Sequence, residues 1–181
     1  MIAERFGLPA SEAMSQLINM ARRGLVWYEK KNGKRCFRQA EALALLDKAE
    51  EVGLVHTVSN VMKSIGYVCN CCGCCCAVLR GITEYGIESS VARAGYYAVI
   101  DPEECLGCGT CIIRCQVQAI SEQDGISVVD REWCIGCGLC VTGCPNEVAR
   151  LERTPEAEIV QPPADFAAWE LERLVNRGLM V

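Results

Sequence analysis

The chain reads as an α+β protein centred on a pseudo-symmetric βαββαβ unit, and three observations predict this. First, residues 97–151 contain an internal duplication, in which "VIDPEECLGCGTCIIRC" from Val99 returns as "VVDREWCIGCGLCVTGC" from Val128. The offset is 29 for each cysteine pair (105/134, 108/137, 111/140 and 115/144) and for Asp101/Asp130, Gly107/Gly136 and Gly109/Gly138. Second, each half reads strand, glycine-rich cysteine loop, short helix, strand. Third, the flanks are helical: apolar residues upstream recur at helical spacing, and a helix is expected from about Asp165 to Arg177.

Four segments follow from composition: 1–38, 39–95, 96–153 and 154–181. In the first, Ser11 is an N-cap candidate ahead of an apolar stripe at Met14, Leu17, Ile18, Ala21 and Leu25, and Gly24 ends the helix. "LVWYE", "KNGK" and "RCF" then read as a hairpin around Asn32-Gly33. With a short helix at Ile2–Gly7 and a turn at "LPAS" ahead of them, these elements give helix, turn, helix, hairpin, the order of a winged helix-turn-helix, here partial because the helix that normally precedes this unit is not visible. Residues 39–52 read as a helix with Leu43, Leu46 and Ala49 on one face and Gly53 as its stop. Residues 54–66 carry no clear pattern. Residues 77–95 read as a link punctuated by Gly81, Gly86 and Gly95. After the duplication, "TPEAEIVQPP" is a proline-marked linker. The last helix would place Phe166, Trp169 and Leu174 on one face, docked on the body.

Charge and cysteine content narrow the classes. The chain has 181 residues, 15 cysteines, a single histidine (His56) and a net charge of −5. An odd thiol count cannot be consumed by disulfides alone. No apolar leader precedes the first helix, and no run approaches the roughly 18 apolar residues of a membrane span. The expectation is a soluble cytoplasmic protein, where clustered thiols bind metal. A single histidine excludes sites that need two, a Rieske centre included. Residues 22–38 carry seven basic side chains against one acid, Glu29, leaving 11 basic and 22 acidic groups elsewhere. A basic N-terminal module is thus set against an acidic body.

The two cysteine runs are Cys105-x2-Cys108-x2-Cys111-x3-Cys115 and Cys134-x2-Cys137-x2-Cys140-x3-Cys144-Pro145. Two-residue gaps let successive thiolates reach different irons of one cube, and the glycines between them permit positive φ and a close approach of backbone N–H groups to sulfur. This pattern resembles the bacterial two-cluster [4Fe–4S] ferredoxins over about residues 96–153, under a third of the chain. The resemblance implies a ferredoxin-like core with two [4Fe–4S] clusters. One would be held by Cys105, Cys108, Cys111 and Cys144, the other by Cys134, Cys137, Cys140 and Cys115. Exchange of the fourth ligand would make folding depend on metal. Gln116 departs from the proline usual at that position. A zinc ribbon is the competing reading. It would use CxxC pairs roughly 15 to 20 residues apart, whereas 25 residues separate Cys108 from Cys134 here, with two cysteines spare in each half.

Residues 67–76, "YVCNCCGCCC", put six cysteines in ten positions. Cys69-x2-Cys72-x2-Cys75 repeats the triple spacing, and Cys71-x2-Cys74 interleaves with it. A third iron–sulfur site is a candidate here, on Cys69, Cys72 and Cys75 or a subset of neighbouring thiols, with Cys36 as the only other unassigned cysteine to serve as fourth ligand. The stretch also looks like the "CNCCGCCC" segment of longer ferredoxin-family proteins of anaerobes, which place a winged-helix-like region and a further cysteine motif upstream. That further motif is absent here. A dithiol redox element, a zinc site and vestigial thiols stand as alternatives.

The functional expectation is one-electron transfer through two clusters, with a third as an added candidate. The protein would be a soluble carrier or a relay subunit between donor and acceptor oxidoreductases, without a substrate site of its own. No GxGxxG, GxSxG or Walker loop is present. A redox-responsive DNA-binding regulator is the alternative. Its recognition helix would offer only Gln16, Asn19, Arg22 and Arg23 to bases, so protein docking is the preferred use of the basic module. A zinc-stabilised adaptor is a second alternative. His56 reads as a packed or capping side chain. Trp133 reads as a hydrophobic contact beside Cys134 or a shield for its cluster, and Asp101 and Asp130 as turn-fixing residues.

Overall fold

The computed structural model describes residues 39–63 and 67–179. The winged-helix reading of residues 1–38, Cys36 included, lies outside the described residues.

Helix α1, Gln39–Glu51, ends where the sequence places its stop. Gly53 takes φ 79°, a left-handed conformation that costs glycine little. Its N–H bonds the Glu50 carbonyl, and that of Leu54 the Ala49 carbonyl. The stretch without a clear pattern contains β1, Val55–Val58, paired antiparallel with β2, Val68–Cys71. His56 is exposed on β1 rather than packed, its Nδ1 2.6 Å from Asn70 Oδ1 on the partner strand.

The expected link at 77–95 contains helix α2, Ala77–Thr83, which buries Leu79 and Ile82. A 3-10 turn at Glu88–Ser90 follows. Gly81 lies inside α2, a position that usually weakens a helix. Here a side chain would collide with Ser90, so the glycine permits the close approach of the 3-10 turn, whose Ser90 hydroxyl donates to the Val78 carbonyl at 3.0 Å.

From Tyr96 to Arg153 the order is β3 (Tyr96–Ile100), α3 (Thr110–Arg114), β4 (Ile120–Gln123), β5 (Ile126–Val129), α4 (Leu139–Thr142) and β6 (Ala149–Arg153). The fold is mixed helix and small antiparallel sheets, consistent with α+β. The strands form separate two-stranded ribbons: β3 with β6, joining the ends of the unit, and β4 with β5, joining the halves at its middle. Asp124 and Gly125, both at positive φ, close the β4–β5 hairpin. The main core lies between these ribbons and the short helices, with Leu139 and Leu79 almost fully enclosed.

The 29-residue offset is also a spatial symmetry. The Ala98 N–H points at Cys134 Sγ (3.4 Å), and that of Ser127 at Cys105 Sγ (3.5 Å). Asp101 Oδ1 accepts from Glu103 N, and Asp130 Oδ1 from Glu132 N, both at 2.9 Å, so each aspartate closes the turn ahead of its loop. Gln118 and Glu147 share a positive φ near 57° (58° and 56°).

After another 3-10 turn at Glu156–Glu158, helix α5, Phe166–Asn176, is capped by Asp165, whose Oδ1 accepts from Ala168 N. None of its residues is buried, and Phe166 and Trp169 stay exposed, which corrects the expectation of a docked apolar face. The segment ahead of it is held by backbone bonds, Met62 N–H to the Pro163 carbonyl and Lys63 N–H to that of Ala164.

Candidate metal centre

The eight cysteines of the duplication line two cavities. Cys105, Cys108, Cys111 and Cys144 share the first with Leu106, Ser127 and Pro145. Cys115, Cys134, Cys137 and Cys140 share the second with Ala98, Ile135 and Leu139. Each cavity takes three cysteines from one half and one from the other, because α3 and α4 carry the last cysteine of each run away from its own loop. Gly107 and Gly136, at φ 62° and 72°, let the loops press against the Gly125 and Tyr96 carbonyls, where a Cβ would collide. Those two contacts are again 29 residues apart.

The donor chemistry fits iron–sulfur cubanes. Four thiols surround each space, and the second cavity is lined by cysteine, glycine and aliphatic residues. Backbone N–H groups are aimed at sulfur, including Ala119 N to Cys115 Sγ at 3.2 Å. Burial pushes the Cys137 thiol up to about 11 and the Cys140 thiol up to about 12, so without metal both are neutral. A buried thiol gives up its proton when a cation compensates the thiolate, as bound iron does. Exposed Cys108 is shifted down, chiefly by the Thr110 hydroxyl. At Cys144 the upward push of burial is outweighed by the N–H groups of Asn146, Val148, Ala149 and Glu147, and the thiol moves down. Trp133 is half-buried against the main core.

The cysteines of residues 69–76 are sorted differently from the triple spacing. Cys72, Cys74 and Cys75 place their sulfurs within 4.8 Å of one another. Cys71 and Cys76 pack on the main core, within hydrogen-bonding reach of each other. Cys69 is exposed on β2. The structure thus brings Cys72 and Cys75 together, with Cys74 rather than Cys69 as the third member.

Two residues flanking Cys115 have a role that cysteine spacing did not reveal. Arg114 Nε donates to the Leu139 carbonyl (2.8 Å), and its terminal nitrogens reach the Glu50 and Glu51 carbonyls at the end of α1. Gln116 is 3% exposed. Its Nε2 donates to the Gly53 carbonyl (2.7 Å), and its Oε1 accepts from Gly73 N (2.9 Å). A proline at 116 could make neither bond. The departure noted in the sequence is therefore one of the points where residues 39–95 are fastened to the duplicated unit.

Residues 98–151 match a family model described as a 4Fe-4S dicluster domain. No curated protein matches the chain. The matched region and the two thiol-lined cavities define an iron–sulfur, metal-binding protein of the electron-transfer class. Among the described residues no helix is long and apolar enough to cross a membrane.

Proposed function

We propose that the protein carries electrons one at a time through two [4Fe–4S] clusters, passing them between a donor and an acceptor oxidoreductase. Cys105, Cys108, Cys111 and Cys144 hold the first, and Cys134, Cys137, Cys140 and Cys115 the second. The single observation that carries this reading is the grouping of the eight thiols into two cross-half quartets, each around its own cavity.

A bound cubane supplies reversible one-electron chemistry; the surrounding residues set its cost. The N–H groups of Ala98, Ser127 and Ala119 favour the more negative, reduced state by donating to ligand sulfur. The apolar lining around Cys140 opposes it by keeping water away. Because each quartet takes its fourth cysteine from the other half, α3 and α4 would hold two bound clusters within one unit, between which electrons could pass. The acidic surplus outside residues 22–38 steers the carrier toward basic docking sites on its partners.

Anaerobic purification followed by iron and acid-labile sulfide analysis tests this. Two cubanes carry about eight irons per chain. Stoichiometric zinc with little iron would sink the electron-transfer reading.

A further inference from the structure

The duplication does not use the thiols of residues 69–76, and their spacing in sequence differs from their grouping in space. Strand β2 ends at Cys71, and the chain then turns: the N–H groups of Cys75 and Cys76 both point at the Cys72 carbonyl, at 3.4 and 3.1 Å. Gly73, inside the turn, sits where a Cβ would run into the Gln116 carbonyl oxygen, while its N–H is held by Gln116 Oε1. This turn separates the cysteines by environment. Cys71 and Cys76 face the main core. Cys72 and Cys74 face a second apolar cluster with Ala49, Val52 and Leu54 at the end of α1. Cys75 joins them from the solvent side.

Separation between sulfurs decides what such a trio can hold. One tetrahedral ion with metal–sulfur bonds of about 2.3 Å sets its thiolates about 3.8 Å apart. A cubane instead takes one thiolate on each iron, so its ligands stand further apart. Among the described residues, Cys72, Cys74 and Cys75 form the one cysteine trio whose sulfurs all lie within 4.8 Å, and neither cavity quartet contains such a trio. Cys72 and Cys74 are 2.7 Å apart and need to open by about 1 Å to accept an ion with this geometry.

We propose that Cys72, Cys74 and Cys75 form a mononuclear site for a thiophilic divalent cation of the Zn²⁺ type, separate from the two clusters. Binding exchanges three thiol protons for one dication, leaving three thiolates and a net charge of −1 at the site. Three protein ligands leave a fourth position on the Cys75 side for water or an incoming thiol. A bound ion would stiffen the turn that Gln116 grips, beside the second-cluster ligand Cys115.

The test uses the full-length holoprotein, purified without air and incubated with one equivalent of Zn²⁺. Zinc X-ray absorption is read because iron does not contribute to it. One zinc per chain with three sulfur neighbours is expected. Cys74→Ser and Cys75→Ser should each reduce bound zinc at least tenfold while iron stays at about eight per chain. Unchanged iron also shows that the variants fold. Cys69→Ser should leave zinc unchanged. Three outcomes overturn the site: zinc retained in Cys74→Ser; iron near twelve that drops in Cys75→Ser, which identifies a third cubane; or no zinc bound, with a mass two hydrogens lower marking a disulfide that peptide mapping would place at Cys72–Cys74. Loss of iron at the cavities with zinc retained at the trio would instead count against the two-cluster reading.

Discussion

The two halves of the duplication are close copies in sequence but are unequally buried. Leu106 and Ile135 occupy equivalent loop positions, yet Leu106 is 76% exposed and Ile135 6%. Cys108 is exposed, whereas its counterpart Cys137 is half-buried. The cause is what precedes the equivalent strands. Before β5 the chain turns back at once through Asp124-Gly125, which touches the first loop at Gly107 but leaves Leu106 exposed. Before β3 the chain arrives from residues 77–95, which lie over the second loop: Ala94 N–H bonds the Ile135 carbonyl, and Arg93 reaches the Glu132 carbonyl. Two similar ligand sets thus acquire different solvent access, the feature that most separates their redox behaviour.

The sharpest way to break this comparison is to remove one ligand from each centre. Cys115 is buried and flanked by both clasp residues; Cys108 is exposed. Cys115→Ser is expected to lose about four irons and most of the soluble holoprotein. Cys108→Ser should retain a folded chain with the second cluster's paramagnetic signal intact. Iron analysis with low-temperature EPR of both variants decides it, and equal damage would show that the halves are equivalent.

Next in size is Gln116→Ala. It leaves the buried Gly53 carbonyl and Gly73 N–H unpaired, at about 1–3 kcal/mol. Cluster bleaching should begin at a lower guanidinium concentration than in the parent, followed by visible absorption. An unchanged curve would mean the clasp contributes nothing to holding residues 39–95.

A smaller effect is expected at Leu106, exposed beside the first cavity. Leu106→Glu should slow electron exchange with a partner oxidoreductase by about tenfold, the equivalent of 1.4 kcal/mol. Iron content should not change. Ile135, enclosed in the other half, offers no such handle. Stopped-flow mixing with a chemical reductant as control separates docking from intrinsic redox change.

The smallest is Arg131→Gln. Arg131 pairs with Glu158 at 2.7 Å and lies 4.3 Å from the Tyr97 ring centre, both near the surface. Its loss should cost under about 1 kcal/mol in thermal stability. A larger drop would show that the C-terminal extension supports the second half more than its exposure suggests.

The parts that were legible in the sequence are those with short-range causes. Helix α1 shows its periodicity and its glycine stop. The loops show their cysteine spacing, and Asp101 and Asp130 their turns. Strands β1 and β2 were hidden because "VHTV" and "VCNC" lack a clean alternation and pair across an intervening stretch. Helix α2 was hidden because Gly81 and Gly86 read as breaks, whereas packing of Leu79 and Ile82 against the core sustains it. The last helix was legible as a helix, but Phe166 and Trp169 stay exposed and only Leu174 of the expected face is half-buried among the described residues.

By itself the sequence determined the two cysteine loops and their repeat, because ligand spacing and glycine φ preferences act within a few residues. Tertiary structure decided which half is covered, how four of the six thiols of residues 69–76 divide between two apolar clusters, and that Gln116 joins this segment to Cys115. Those outcomes depend on contacts between residues about 40 to 65 positions apart, which no local pattern encodes.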